Sequence, residues 1–200
     1  DILKIICFVG LPGSGKGEAS KIAQDLGLVV VVMGDVIRQE AARRGLEPPD
    51  LNLGRIGNAL REAEGPEAIA KRTLEMALKT GRDLVVVDGL RSQAEAEFFR
   101  SQAGEFYLIE VQAAAEVRLG WLEKRGRPDD PKGCGEESGN AVAGGQAKSI
   151  SASALEEREC REKGWGLCEA IQTADYRIEN SGSLNDLRRN LIKLLGEIQG

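Results

Sequence analysis

Gly10-Leu11-Pro12-Gly13-Ser14-Gly15-Lys16-Gly17 holds four glycines, two of which stand with a lysine at the spacing Gly, four free positions, Gly-Lys. Such a loop can turn its backbone N–H groups inward around a polyphosphate, while the lysine reaches the outer phosphates and the following helix presents its positive end. The chain has 25 glycines, so this spacing also arises by chance and its context must decide. The chain has no histidine, so acid–base or metal chemistry must rest on carboxylates, lysine, arginine or water.

The context is a strand, this loop and a helix. Ile2 to Val9 is an apolar run of the kind buried on both faces of a parallel sheet, and Glu18 to Leu26 follows as a helix. Further strands are expected at Leu28 to Met33, Leu84 to Val87, Phe106 to Val111 and Tyr176 to Ile178, separated by helical patterns. Gly34 to Gly81 reads as three helices, broken at Gly45 through Pro49 and at Gly65-Pro66. A helical insertion of that kind can hold a second substrate beside the phosphate loop. The last helix opens at Ser183-Leu184-Asn185-Asp186 and repeats apolar residues at helical spacing through Ile198.

Gly126 to Ser153 interrupts the alternation. Between Gly133 and Ser153 its only larger aliphatic residues are Val142 and Ile150, too few to offset the cost of ordering, so mobility is expected unless the stretch closes on a ligand. A flexible lid and a linker loop both fit. The 200 residues suffice for one substantial core, and the net charge of −5 argues against a general nucleic-acid binder. Cys7, Cys134, Cys160 and Cys168 lack metal-ligand spacing, which points to a reducing cytoplasmic setting without zinc or a disulfide frame. No apolar stretch approaches a bilayer span, and the first run reads as a strand, not a signal peptide.

The loop at 10–17, Met33-Gly34-Asp35-Val36-Ile37-Arg38, Asp88-Gly89-Leu90-Arg91 and Arg125-Gly126-Arg127-Pro128-Asp129-Asp130 together resemble adenylate kinase and its P-loop nucleotide-kinase relatives. The resemblance is greatest to archaeal adenylate-kinase-related proteins, a group also linked by similarity to dephospho-CoA kinase. It extends through Gly164-Trp165-Gly166 and Ala174-Asp175-Tyr176, leaving out roughly Gly133 to Ser153. It implies a single α/β domain over 1–200: a three-layer P-loop fold with a five-stranded parallel sheet, an acceptor-binding insertion at 34–81 and a lid at 126–157. It also implies ATP as donor on residues 10–17 and an acceptor under the helical insertion, without fixing which acceptor. The leading expectation is Mg²⁺-dependent transfer to a nucleoside monophosphate such as AMP, a small-molecule partner, with no nucleic-acid or membrane partner.

Within that frame Lys16 neutralises charge on the transferred group. Asp88, at the carboxyl end of its strand, orients a magnesium-bound water or braces the turn before Gly89. Asp35, Arg38 and Arg91 resemble the acceptor side, where a guanidinium fork suits a phosphate. Arg125 and Arg127 resemble catalytic lid arginines, and Arg118, Arg158 and Arg161 flank the same stretch. Each of these arginines also has a neighbouring carboxylate that would make it ordinary helix-surface charge. Position 17 carries no hydroxyl, and Glu18 stands where adenylate kinases place a threonine, so Mg²⁺ must be held by phosphates, water and a carboxylate. Glu18 itself suits the first turn of a helix. Trp121 reads as packing; Trp165 is equally compatible with packing and with adenine contact.

Two other functions remain open. Transfer to a sugar hydroxyl, as with dephospho-CoA, would call for a base, for which Asp35 is available. An ATP-binding switch or slow ATPase acting through a protein partner would use the long insert for contacts.

Overall fold

The computed structural model describes residues 3–46, 50–125 and 152–199. Five strands, β1 (Lys4–Val9), β2 (Val29–Val32), β3 (Leu84–Asp88), β4 (Glu105–Gln112) and β5 (Tyr176–Glu179), form one sheet in the order β2-β3-β1-β4-β5. Every pairing is parallel. A parallel strand in the middle of a sheet has both faces covered, and β1 shows what this demands of its sequence. Ile5, Cys7 and Val9 belong to the core on one face, and Ile6 and Phe8 to the core on the other. Cys7 is thus the small core residue expected of it, and burial pushes its thiol well above the usual range.

Helix α1 (Lys16–Asp25) and the C-terminal helix α9 (Leu184–Gln199) cover the face carrying Ile6 and Phe8. In α9, Leu187, Leu191, Leu194, Leu195 and Ile198 are buried, the stripe that the helical repeat predicts. The opposite face carries α2 (Met33–Arg43), α3 (Asp50–Glu64), α4 (Ala68–Lys79), α5 (Gln93–Gln102) and the short α8 (Leu167–Gln172). Helices α2, α3 and α4 lie between β2 and β3, broken where glycine and proline interrupt the sequence. The remaining helices are α6 (Ala115–Arg125) and α7 (Ala152–Gly164). Most of the expected lid, residues 126–151, lies outside the described residues, as do Arg127 and the side chain of Arg125.

The strand order places β1 between β3 and β4. Phe8 is opposite Asp88 on one side and Ile109 on the other, so the phosphate loop leaves the sheet beside Asp88. This is the carboxyl edge of a parallel sheet, where α/β proteins build their ligand sites.

Candidate functional site

The loop between β1 and α1 is fixed by close backbone packing. Gly10 has φ +152°, and a Cβ there would stand 2.3 Å from the Val111 carbonyl oxygen. Gly15 caps α1 with φ +103°, and a Cβ there would meet Asn180 Nδ2 at 2.1 Å. Only glycine fits both demands. Two side chains brace the loop from outside: Asn180 Nδ2 donates to the Ser14 carbonyl at 3.0 Å, and Arg118 Nη1 donates to the Pro12 carbonyl at 3.0 Å. Arg118 is also hydrogen-bonded to Glu159 on α7. Ser14 Oγ is buried without a hydrogen-bond partner, an orphaned polar atom in the middle of the loop that a phosphate oxygen would satisfy.

Lys16 Nζ donates to the carbonyls of Gly10 and Leu11 at 2.6 and 3.1 Å, so the amine folds back along the loop it serves. Burial lowers its pKa to about 8, against the pull of Glu162 and Asp88, while Arg91 and Arg158 lower it further. It therefore remains largely protonated at neutral pH. The loop, Asp88, Arg38, Arg91, Arg158, Glu162, Trp121 and Asn180 line one cleft of about 500 Å³. Glu162 forms an ion pair with Arg91 Nη1 at 2.8 Å and accepts a hydrogen bond from Arg158 Nε at 3.1 Å. Burial pushes this carboxyl up, but Arg91, Arg158 and Lys16 outweigh that and hold it below the usual carboxylate range.

A smaller cavity adjoins the cleft and shares Gly34, Arg38, Arg91 and Arg158 with it, adding Ile37, Leu53, Gly54, Arg161 and Trp165. Trp165 anchors its outer wall. Its indole N–H donates to Asn58 Oδ1 at 2.6 Å, and the Arg61 guanidinium lies 4.5 Å from the ring centroid. Arg61 in turn donates to Glu95 at 2.8 Å, and Glu95 accepts the Arg91 backbone N–H at 2.8 Å. A ladder of two ion pairs, Glu162–Arg91 and Glu95–Arg61, joined through the Arg91 backbone N–H, thus links α7, the β3–α5 loop, α5 and α3. Removing either carboxylate would leave guanidinium charge without its counter-ion.

The structure therefore brings Lys16, Asp88, Arg38, Arg91 and Arg158 to one cleft, and Arg161 to the adjoining cavity. Asp35 stands apart as the ion-pair partner of Arg38 and lines neither space. Arg118, expected to flank a lid, is 4% exposed and supports the phosphate loop from behind. The reason is helical: it lies one turn before Leu122, and both face Gly13. Trp121, expected to pack, lies against the loop at Gly15 and also lines the cleft, as does Leu122. Glu18 pairs with Lys21 at 2.8 Å and also lines the cleft.

In the sequence Glu162 and Glu95 read only as surface counter-charges to neighbouring arginines, and Asn180 and Arg61 belong to no motif. Asn180 carried one usable signal, its place immediately after a parallel strand, where sheet-edge ligand sites gather. No group of three or more metal-ligating side chains occurs among the described residues. The donor set still suits Mg²⁺ held mainly by phosphates and water, with Asp88 as the carboxylate at the sheet edge, because this ion keeps much of its hydration.

Fold and phosphate loop together define a P-loop kinase-like α/β protein. The profile of a family described as an AAA domain matches residues 9–133. A UPF0200 protein of Methanothrix thermoacetophila is 47% identical over 98% of both chains. The chain belongs to the UPF0200 protein family and carries the AAA domain. Among solved structures, TT1252 from Thermus thermophilus superposes with a TM-score of 0.62 at 19% identity, covering all of both chains. Shikimate kinase from Acinetobacter baumannii, in complex with shikimate, gives 0.53 at 21% identity over 98% of this chain and 94% of that one. At these identities the likeness is one of fold.

Proposed function

We propose that this chain is an ATP-dependent phosphotransferase that moves the γ-phosphoryl group of ATP to a nucleoside monophosphate such as AMP. The supporting observation is that Arg38 and Arg91 line both the phosphate-loop cleft and the arginine-rich cavity beside it. An acceptor held there by its phosphate would face the donor across a shared wall of guanidinium groups.

The chemistry asked of the protein is positioning and charge stabilisation. Backbone N–H groups of residues 10–17 and the start of α1 cradle the donor phosphates. Lys16 turns from the Gly10 and Leu11 carbonyls toward the phosphate charge, and Arg91 and Arg158 bracket the transfer zone. Arg38, oriented by Asp35, grips the acceptor phosphate. Mg²⁺, held by donor phosphates and water with Asp88 nearby, would supply further neutralisation of the polyphosphate. A phosphate monoester oxygen is already nucleophilic, so no strong base is needed, and the histidine-free cleft is adequate. Transfer to a sugar hydroxyl has less support, because the available carboxylate, Asp35, is engaged with Arg38.

The test is an acceptor screen with purified protein and Mg-ATP, comparing AMP, other nucleoside monophosphates, dephospho-CoA and no acceptor. The proposal expects product from a nucleoside monophosphate and none from Lys16→Ala. ADP formation indifferent to every acceptor would favour the ATPase or switch reading instead.

A further inference from the structure

One face of α7 and the residue just beyond it supplies Arg158, Arg161, Glu162 and Trp165, at i, i+3, i+4 and i+7. That spacing stacks side chains along a single side of a helix. The two arginines suit an anionic ligand, and Trp165 faces guanidinium groups; Glu162 has the opposite sign to the arginines. It is 3% exposed, it lines the phosphate-loop cleft, and its Oε1 is shared between Arg91 at 2.8 Å and Arg158 at 3.1 Å. These arginines come from different walls, the β3–α5 loop and α7. A buried carboxylate thus already engages cations that a polyphosphate entering the cleft would meet.

A guanidinium has a fixed fork of donors, so a donor aimed at Glu162 is not aimed at a phosphate oxygen. Two anions brought close in a partly desolvated cleft also repel far more strongly than they would in water. Asp88, the other carboxylate near Lys16, has a compensating use beside a hydrated cation, whereas Glu162 is spent on the arginines themselves. We infer that Glu162 is a specificity-determining residue that competes with the terminal phosphate of a polyphosphate for Arg91 and Arg158, and so sets how tightly the cleft holds three phosphates relative to two. This rests on the reading of residues 10–17 as a donor-phosphate site. It adds that the affinity of that site is restrained from within, by the helix that returns from the 126–151 stretch.

The competing possibility, that Glu162 only braces the two arginines, predicts a change of the opposite sign. Calorimetric titration of the full chain with tripolyphosphate and with pyrophosphate, without acceptor, separates them. Glu162→Gln keeps the side chain's shape and removes its charge. It is expected to bind tripolyphosphate about tenfold more tightly than wild type, with pyrophosphate changed less than about threefold and the fold kept at lowered thermal stability, because Arg91 and Arg158 lose their shared counter-charge. Unchanged or weaker tripolyphosphate binding by the folded variant overturns the proposal while leaving the donor site intact. If Glu162→Gln does not fold, Glu162→Asp retracts the carboxylate by one methylene and is expected to gain about threefold; no gain there overturns it equally. A wild-type chain that binds neither polyanion removes the donor site itself, and this inference with it.

Discussion

Asn180 and Ser14 lie 166 positions apart in the chain, yet the Asn180 amide donates to the Ser14 carbonyl at 3.0 Å and closes the phosphate loop against the end of β5. The Asn180 backbone N–H is itself tied to the Gln112 carbonyl at 2.7 Å. The residue therefore joins β4, β5 and the loop into one unit. Asn180→Ala would leave a buried carbonyl without its donor, a cost of about 1–3 kcal/mol. Thermal unfolding should move down by several degrees, and nucleotide binding should weaken more than this loss of stability accounts for. Calorimetry on the variant, with and without ADP, checks both.

Lys16 gives a pH dependence with a definite sign. Burial lowers its pKa from 10.5 to about 8, so in the free protein the amine loses its proton as pH rises through 8. A bound phosphate favours the charged form and raises that pKa. Phosphate affinity should therefore hold up to about pH 8 and fall above it. For the fold the sign reverses: a lysine with a depressed pKa opposes folding while it is charged, and this penalty is relieved between pH 8 and 10.5. Lys16→Met should flatten both profiles, measured by ADP titration and by chemical denaturation across that window.

The two acceptor-side arginines should separate kinetically. Arg38 is partly exposed and paired with Asp35, so Arg38→Ala is expected to raise KM for the acceptor about tenfold or more while ADP binding stays near wild type. Arg91 also pairs with Glu162 through its guanidinium, whereas the backbone N–H that Glu95 accepts survives truncation, so Arg91→Ala should lower kcat and acceptor affinity together with a loss of stability from the Glu162 pair alone. Steady-state kinetics and thermal melts of both variants decide this. Equal effects would mean that the pair with Glu162 does not set Arg91 apart from Arg38.

Much of this architecture is legible in the sequence because it rests on short-range signals. The runs at Ile5 to Val9 and Leu84 to Val87 are too apolar and too short for anything but buried strands, and the breaks between α2, α3 and α4 fall at glycine and proline. The phosphate loop is legible because its glycines answer a local demand of the backbone. The charged ladder is not, because Glu162, Arg91, Glu95 and Arg61 acquire meaning only when α7, the β3–α5 loop, α5 and α3 are packed together. Read singly, each is an ordinary helix or loop charge. Trp121 and Leu122 both line the cleft beside the loop, a placement that helical periodicity alone does not specify.

The central claim is transfer from donor to acceptor across the wall that Arg38 and Arg91 share. Its most direct test follows γ-labelled ATP incubated with the full chain, Mg²⁺ and AMP, and asks where the label goes. Label appearing in the β-position of ADP formed from AMP, and disappearing in Lys16→Ala, is the predicted result. Label released only as inorganic phosphate, at the same rate with and without any nucleoside monophosphate, would contradict it.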